Sequence, residues 1–370
     1  MQKLHVLHTE ASLGWGGQEI RILTEAAGTA ARGHRVSLIA PAESNIYREA
    51  CERDLAAVAL PVGRKNLRGL LALRGWIKSN APDVINTHSS TDSWLAALAC
   101  FGLRLPPPLV RTRHISAAVP NNWSSRWLYR KATAFIATTG DALRDQIIAE
   151  AGVDPARVRS VPTGIDLARY KPCRDSEKAA LRSHLNLPGD TPIVGIVATL
   201  RSWKGHRYLI EALEKMPGAM LVIVGDGPQR DTLVSQVATL KLQDRVRFSG
   251  NQKDVVPWLQ AFDVFALPSY ANEGVPQAIM QAMACGLAVV STPVGGIAEI
   301  VQHEETGIIV QPHDPEALRV AIERLVGDSA LRTGLGEAGR DQAIARFSDT
   351  LMIDRMEKIF LEAVRAPRTV

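Results

Sequence analysis

Short runs of apolar and β-branched residues alternate with longer amphipathic segments along most of the chain. In the first half, this pattern predicts helices over residues 18–32, 66–79, 91–102 and 141–150. The predicted strands are LHVLHT, RVSLIA, VAL before Pro61, DVINTH, PLVRTRH, AFIATT and VRSVPT. These runs are continuously apolar, which is typical of strands that are covered on both faces. A strand–helix–strand order predicts parallel sheets with right-handed crossovers.

The pattern restarts in the second half, where the predicted strands are PIVGIVATL, AMLVIVGDG, RVRFSG, VFALPS, LAVVST and GIIVQP. Between the halves, residues 164–192 are rich in turn formers and charge, which indicates a domain boundary. We therefore predict an α/β protein with two Rossmann-like, doubly wound domains, residues 1–168 and 169–346, that face across a cleft. An amphipathic terminal helix is predicted within residues 347–370. In such sheets, ligands bind beyond the carboxyl ends of the strands.

Length and composition agree with a soluble two-domain protein. A chain of 370 residues is too long for one ordinary core. The four cysteines are far apart in sequence and form neither a disulfide framework nor a zinc motif. The N-terminus lacks the apolar core of a signal peptide, and the longest apolar run, around residues 94–103, is roughly half of a membrane span. We expect a cytoplasmic protein that is not integral to a membrane.

The basic charge is confined to the first half of the chain. Residues 1–165 hold 20 Lys and Arg against 13 Asp and Glu, whereas the remainder holds 23 against 25. An ordinary solvated surface is one interpretation. The alternative is a first domain that faces an anionic lipid surface or a phosphorylated acceptor. Nucleic acid is not expected as a partner, since no nucleic-acid-binding motif is present.

The segment EGVPQAIMQAMACG, residues 273–286, carries polar residues every four positions in an otherwise apolar helix. Pro276 suits a first helical position, and Gly286 suits the helix stop. Buried polar groups are costly unless they are paired, so this stripe predicts a polar ligand. Carboxylate and amide side chains suit sugar hydroxyls, and the backbone amides at the helix start suit phosphate oxygens. The candidate ligand-binding residues are Glu273, Gly274, Val275, Pro276, Gln277 and Gln281.

Two further loops that follow predicted strands are suited to anions. In ASLGWGGQE, Gly16 and Gly17 lead into a helix, although a tight structural turn is an alternative. In VATLRSWKGH, Arg201 and Lys204 flank Trp203, and two cations suit a diphosphate leaving group. Exposed surface cations are the alternative there. A third glycine-rich turn, STPVGGIAEIV, leads into another helix start. Together, these loops predict a site for a sugar attached to a nucleoside diphosphate.

These residues resemble glycosyltransferase family 4, whose members are retaining enzymes with the GT-B fold. The matching segments stand in the family's order over nearly the whole chain: GWGGQE, VPTGID, WKGHRYLIEAL, VGDGP, RFSG, DVFALPS, EGVPQAIMQAMACGLAVVST and GGIAEIV. The resemblance implies a nucleotide-sugar donor bound mainly by the second domain and an acceptor bound by the first. It also implies retention at the anomeric carbon, no essential metal or other cofactor, and a terminal helix that crosses back to the first domain.

The resemblance assigns roles to four residues. Glu273 matches the first Glu of the family's paired-glutamate signature, which binds hydroxyls of the donor sugar. Lys204 matches the lysine on the diphosphate, and Gly17 matches the glycine whose amide approaches the phosphates. His114, in RTRHIS, resembles the active-site histidine near the transferred sugar. The residues alone favour an ordinary surface position for His114.

Two positions depart from the family pattern. The second signature Glu, which holds the ribose diol, is Gln281 here. A Gln accepts from one hydroxyl and donates to another, but it forfeits charge-assisted bonds. The family arginine lies five residues before the lysine, where this chain has Thr199. Arg201 is the nearest cation, and our hypothesis is that it substitutes for that arginine.

The implied reaction is front-face transfer of a hexose-type sugar. An acceptor hydroxyl attacks the anomeric carbon on the leaving-group face, a phosphate oxygen takes the proton, and His114, Arg201, Lys204 and Glu273 surround the reacting groups. The basic first half favours an acceptor such as a lipopolysaccharide core or a lipid-linked glycan at the inner membrane surface. Residues 64–79, RKNLRGLLALRGWIKS, suit a lipid interface, although an ordinary packed surface helix is an equal alternative.

Three other functions remain open at this point. A nucleotide-sugar epimerase shares the two-domain fold but needs acid–base carboxylates and no acceptor. A dinucleotide oxidoreductase is disfavoured because GxGxxG follows the first strand of neither half. A non-catalytic nucleotide-sugar-binding protein would fit a site weakened at Gln281. UDP is favoured as the nucleotide only because it is the commoner donor type.

Overall fold

The computed structural model describes residues 2–366, which divide into two compact units. Residues Ile165–Ser348 form the second unit. The first unit combines the chain up to Gly164 with the segment from Asp349 onward. The sequence analysis placed these divisions at residues 168/169 and 346/347, a few residues away from the observed ones. Each unit is an α/β structure built on one parallel sheet, as predicted.

The first unit contains a seven-stranded parallel sheet with the order β3-β2-β1-β4-β5-β6-β7. Its strands are β1 His5–Thr9, β2 Arg35–Ala40, β3 Ala57–Ala59, β4 Val84–Thr87, β5 Leu109–Arg113, β6 Thr133–Thr138 and β7 Val158–Ser160. Its helices before the second unit are α1 Gly17–Ala31, α2 Asn45–Glu52, α3 Leu67–Asn80, α4 Ser90–Cys100, α5 Trp123–Trp127 and α6 Asp141–Ala151. All seven predicted strands are confirmed.

Successive residues of β1 enter different hydrophobic clusters, because neighbouring side chains of a strand point to opposite faces. Leu7 joins a cluster with Ile85 and Ile136, to which α3 and α4 contribute. Val6 joins another cluster with Val84. This sheet is therefore buried on both faces, as expected for a parallel sheet.

The last helix, α14 Asp349–Arg365, belongs to the first unit. Its buried residues Met352, Met356 and Phe360 lie in the cluster that contains Val6. Its Glu357 accepts hydrogen bonds from Arg32 Nη1 at 2.7 Å, and Oε1 lies 2.9 Å from His34 Nε2. The predicted terminal helix is thus part of the core of this unit.

The second unit contains a six-stranded parallel sheet with the order β10-β9-β8-β11-β12-β13. Its strands are β8 Ile193–Val197, β9 Met220–Val224, β10 Val246–Gly250, β11 Val264–Leu267, β12 Ala288–Ser291 and β13 Ile308–Ile309. Its helices are α7 Asp175–His184, α8 His206–Glu214, α9 Arg230–Thr239, α10 Val256–Ala261, α11 Gln277–Ala284, α12 Pro315–Gly327 and α13 Ser329–Arg346. Strands β8 and β11 are direct neighbours, so the loops after them leave the same sheet edge.

Within residues 2–366, no helix combines the length and the apolarity that crossing a bilayer requires.

Two glycines of the second unit provide a test of how tightly its core is packed. A Cβ at Gly195 in β8 would lie 1.9 Å from the ring of the fully buried Phe262, whereas a Cβ at Gly334 in α13 would meet nothing within 4 Å. We predict that Gly195→Ala lowers the free energy of unfolding by about 1–3 kcal/mol through overpacking. Gly334→Ala should raise it by roughly 0.4–1 kcal/mol, since alanine has the better helix propensity and restricts the unfolded chain. Chemical denaturation measures both, and equal effects of the two substitutions would contradict the packing described here.

Candidate functional site

An ion pair joins the loops that follow β8 and β11. Lys204 Nζ lies 2.7 Å from Glu273 Oε1, and Ser269 Oγ donates to the same oxygen at 2.5 Å. The Glu273 side chain is only 4% exposed, whereas that of Lys204 is 21% exposed. A buried carboxylate requires such a partner, because an unpaired one would be strongly destabilising. The ammonium group has three donors, so it is able to bind a second anion while it remains bonded to Glu273.

The Lys204 loop and the β11 loop are held together by backbone contacts as well. Tyr270 N donates to Trp203 O at 2.9 Å. Gly205 has φ +77°, and a Cβ there would lie 2.0 Å from Pro268 O. Glycine is therefore required on both conformational and steric grounds. Since α8 starts at the next residue, the position of Lys204 follows from this close approach.

A second close approach fixes the backbone around Glu273. Gly296 N donates to Gly274 O at 2.9 Å. A Cβ at Gly295, which has φ +59°, would lie 2.1 Å from Glu273 O. Thr292 Oγ1 also donates to Ser269 O. The glycine-rich turn after β12, predicted to bind an anion, thus also supports the loop that carries Glu273.

Helix α11 begins at Gln277, with Pro276 as its N-terminal capping residue and Val275 in the preceding loop. The prediction that Glu273 and Gln277 share one helical stripe with Gln281 is therefore wrong for Glu273. This residue lies before the helix, because Pro276 has the extended ψ of 119° instead of a helical one. Its position comes from Ser269 and Lys204.

Gln281 is buried in α11, as expected from its apolar neighbours. Its Nε2 donates to the hydroxyl oxygen of Tyr170 at 3.1 Å. Tyr170 is itself 8% exposed, and burial raises the pKa of its hydroxyl. The polar side chain that replaces the family Glu is thus hydrogen-bonded within the second unit. Sequence reasoning did not select Tyr170, since it lies 111 residues away from Gln281.

Arg201 has surroundings that differ from those of Lys204. Its guanidinium lies 5.7 Å from the centre of the Trp203 ring. The residue lines a cavity of about 380 Å³ together with His206, Tyr270 and residues of α8 and α9. Neither Lys204 nor Glu273 lines this cavity. Lys204 N donates to Arg201 O at 3.1 Å, so the two residues share one turn of backbone. The role of Arg201 in place of the family arginine stays a prediction.

In the first unit, Gly16 is the N-terminal capping residue of α1, and Gly17 is the first residue of that helix. Glu10, at the end of β1, accepts hydrogen bonds from Ala11 N and Ser12 N, each at 2.7 Å, and from Gln18 Nε2. Burial raises the pKa of the Glu10 carboxyl to about 8, and the neighbouring Asp92 adds to the rise. Glu10 thus organises the turn that leads to the two glycines.

His114 directly follows β5 and contacts a second histidine that the sequence analysis did not select. Its Nε2 lies 3.1 Å from Nδ1 of His88, which directly follows β4. Burial lowers the pKa of both imidazoles well below the ordinary value, and the nearby Arg21 acts in the same direction. Both rings are therefore neutral at pH 7.

The described residues contain no group of three His, Cys, Asp or Glu side chains arranged to hold a metal ion. At the carboxyl ends of β8 and β11, the groups that can bind a ligand are the ammonium group of Lys204, the buried carboxylate of Glu273 and the start of α11. Such a set binds anions and hydroxyl groups. Ser269 was missed by the sequence analysis, and its place two residues after the strand VFAL is the signal that would have suggested it.

Two family models match successive parts of the chain. Residues 15–169 match the model described as Glycosyltransferase Family 4. Residues 177–342 match the model described as Glycosyl transferases group 1. Their order agrees with the two structural units.

Individual proteins support the same relationship. A D-inositol 3-phosphate glycosyltransferase of Xylanimonas cellulosilytica is 28% identical over 95% of this chain and 92% of its own length. The lipopolysaccharide core biosynthesis glycosyltransferase LpsE of Rhizobium meliloti is 37% identical over 47% of this chain and 51% of its own. The crystal structure of Anabaena HepE in complex with UDP-glucose is 22% identical, with a TM-score of 0.86 over 97% of this chain and 100% of that chain. At that identity, the likeness concerns the fold. This chain therefore belongs to the family 4-type glycosyltransferases and has their GT-B fold.

Proposed function

We propose that this glycosyltransferase transfers a hexose-type sugar, with retention, from a nucleoside-diphosphate sugar to a hydroxyl of a glycan or lipid-linked acceptor. UDP is the favoured nucleotide. The second unit binds the donor, and the first unit binds the acceptor. The observation that carries the proposal is the Lys204–Glu273 pair at the carboxyl ends of β8 and β11.

Lys204 suits the diphosphate of such a donor, and Glu273 suits its sugar. The partly exposed ammonium group of Lys204 stabilises the negative charge that develops on the departing diphosphate. The Glu273 carboxylate accepts hydrogen bonds from sugar hydroxyls, and the backbone N–H groups of Gly274, Val275 and Gln277 lie where α11 begins. A parallel sheet places ligands at this edge. Gln281 then contacts the ribose diol from within α11.

The reaction requires no side chain that acts as a base. The acceptor hydroxyl attacks from the leaving-group face, and a phosphate oxygen takes its proton while Lys204 neutralises the leaving group. His114 donates a hydrogen bond to the transferred sugar, and the amide of Gly17 approaches the phosphates. We propose that neither a metal nor another cofactor takes part, since cationic and amide donors supply the stabilisation.

Relatives support the choice of donor and acceptor class. HepE was crystallised with UDP-glucose, and LpsE is named for lipopolysaccharide core biosynthesis. The acceptor class also agrees with the basic excess of residues 1–165. On this basis, we place the protein in cell-surface polysaccharide or lipopolysaccharide synthesis, on the cytoplasmic side of the inner membrane.

The surface of α3 supports peripheral membrane contact. Leu67 is 66% exposed and Leu71 is 58% exposed, whereas Leu73 and Ile77 on the other side of the helix are buried. Basic residues on or beside this helix are Arg64, Lys65, Arg68, Arg74 and Lys78. Exposed leucines among basic residues are typical of helices that lie in a lipid interface.

Substitution of Lys204 tests the donor site. Lys204→Ala should lower kcat with a UDP-sugar and a glycan acceptor by roughly 10²- to 10³-fold, because the leaving charge loses its main stabilising group. The matched control is Lys215→Ala, since Lys215 lies in the same unit and forms an ion pair with the exposed Glu316. Because Lys204→Ala leaves Glu273 buried without its partner, the double variant Lys204→Met/Glu273→Gln controls for misfolding. Equal activity of Lys204→Ala and Lys215→Ala would contradict the assignment.

The products distinguish the proposal from its alternatives. In EDTA, we expect a glycoside with the anomeric configuration of the donor, detected by NMR of the anomeric proton. An inverted product would refute retention, and loss of turnover that Mg²⁺ restores would refute metal independence. Interconversion of nucleotide sugars without an acceptor would indicate an epimerase. Binding of the donor without turnover of any acceptor would indicate a non-catalytic protein.

Membrane contact is tested with Leu67→Ser/Leu71→Ser in a vesicle sedimentation assay. Loss of two exposed leucines removes apolar area that enters the lipid interface, so binding to vesicles rich in anionic lipid should fall by at least tenfold. The control is Val234→Ser/Val320→Ser, which removes two apolar side chains that are 43% and 51% exposed on the second unit. If both double variants bind equally, α3 is an ordinary surface helix.

A further inference from the structure

Three histidines form a row at the carboxyl edge of the sheet in the first unit. His8 Nδ1 lies 3.1 Å from His88 Nε2, and His88 Nδ1 lies 3.1 Å from His114 Nε2. His8 belongs to β1, and the other two follow β4 and β5, which are the next strands in the sheet. The row thus runs from the core of the unit to the residue assigned to the transferred sugar.

The two inner rings are held in place by their surroundings. His8 is fully buried, His88 is 4% exposed, and their ring planes are nearly parallel, with an interplanar angle of 10°. Asp92 accepts a hydrogen bond from His88 N at 2.8 Å and from Thr9 Oγ1 at 2.8 Å. The backbone of His88 is therefore fixed relative to β1, and the nitrogen–nitrogen distances follow from this rigidity.

All three imidazoles are neutral at pH 7. Burial lowers the pKa of His8 to about 4. The pKa values of His88 and His114 are also lowered, first by burial and then by neighbouring groups that include Arg21. A neutral imidazole carries one proton and one lone pair. Each of the two hydrogen bonds in the row therefore requires a donor nitrogen that faces an acceptor nitrogen.

Only two proton arrangements satisfy both hydrogen bonds. In the first, every ring is protonated at Nδ1, and His114 presents an N–H group at the end of the row. In the second, every ring is protonated at Nε2, and His114 presents a lone pair. The row thus decides whether His114 donates to a ligand or accepts from it.

The surroundings of His8, at the inner end of the row, select between the two proton arrangements. His8 Nε2 is buried and has no hydrogen-bond partner among the described residues. The ring planes of Phe360 and His8 are nearly perpendicular, with 6.2 Å between the ring centroids, and the Phe360 ring offers no lone pair. In the second arrangement, Nε2 of His8 would carry a buried N–H without a conventional acceptor, and such orphan donors are rarer than unfilled acceptors. The first arrangement leaves only a lone pair unfilled.

We infer that His8 and His88 are positioning residues that fix His114 as its Nδ1–H tautomer, so that it donates a hydrogen bond to a hydroxyl of the transferred sugar. The identity of the ligand rests on the proposed function, whereas the tautomer does not. Free histidine favours the Nε2–H tautomer, so the protein imposes the less common form.

The tautomer is measured directly by two-bond ¹H–¹⁵N correlation NMR of the full-length protein labelled at histidine, at pH 7 and without substrate. Two buried histidines of the same unit serve as internal references. His5 Nδ1 faces the carbonyl of Asn80 and must carry a proton, whereas His34 Nδ1 accepts from Leu4 N and must not. We expect His114 and His88 to match His5. A match to His34, or charged imidazoles, would overturn the inference.

Variants test whether the row acts through His114. His88→Phe removes both nitrogens of the middle ring, so His114 should lose its pure Nδ1–H pattern. The control His5→Phe removes another buried imidazole and should leave the pattern of His114 unchanged. If His114 keeps its tautomer in folded His88→Phe, the inference fails. The wild-type spectrum decides the tautomer even if this variant does not fold.

Kinetics separate this inference from the proposed function. His88→Phe should lower kcat roughly tenfold, the worth of one hydrogen bond, while the affinity for UDP stays unchanged because UDP lacks the sugar. In a His114→Asn background, the side-chain amide of the asparagine is the donor, and it does not depend on His88. His88→Phe should therefore lower kcat by less than twofold in that background. A tenfold loss there would overturn the positioning role. No transferase activity together with a His114 that matches His5 would refute the proposed function alone.

Discussion

The proposed donor site depends on one buried ion pair. Glu273 is nearly inaccessible to solvent, so it requires both the ammonium group of Lys204 and the hydroxyl of Ser269. These contacts join the loops after two neighbouring strands, and Gly205 and Gly295 allow the backbones to come close enough. A buried ion pair contributes little net stability to a fold, because desolvation of its charges is costly. The Lys204–Glu273 pair has a functional use when the exposed side of Lys204 binds a diphosphate. The structural constraint and the proposed chemistry therefore concern the same residues.

In the first unit, too, polar groups lie beyond the carboxyl ends of parallel strands. Strands that are buried on both faces are mainly apolar, and their carboxyl ends meet at one edge. There, His114 gains a partner in His88, and Glu10 organises the turn before Gly16 and Gly17. Each unit thus concentrates its unusual polar groups at one edge of its sheet.

All thirteen strands were predicted because their signal is local: each is a short apolar run bounded by turn formers. Helix boundaries were less accurate, and α2 was not selected, since it has only eight residues and most of them are polar. Within the site, the family motifs identify Lys204 and Glu273. The sequence does not reveal Tyr170 beside Gln281, or the histidine row, because those contacts join residues that are 26 to 111 positions apart. The helical stripe was wrong for Glu273, since an extended Pro276 delays the start of α11.

The most direct test of the central claim is the melting temperature of the protein with UDP in the absence of metal, compared with GDP, ADP, CMP and NAD. A ligand that binds only the native state raises the melting temperature, and at a given ligand concentration a tighter ligand raises it more. The account predicts that a nucleoside diphosphate, with UDP favoured, stabilises the wild-type protein and that Lys204→Ala removes most of this stabilisation. Stabilisation by NAD alone, or by none of these compounds, would contradict the assignment of the donor site to Lys204 and Glu273.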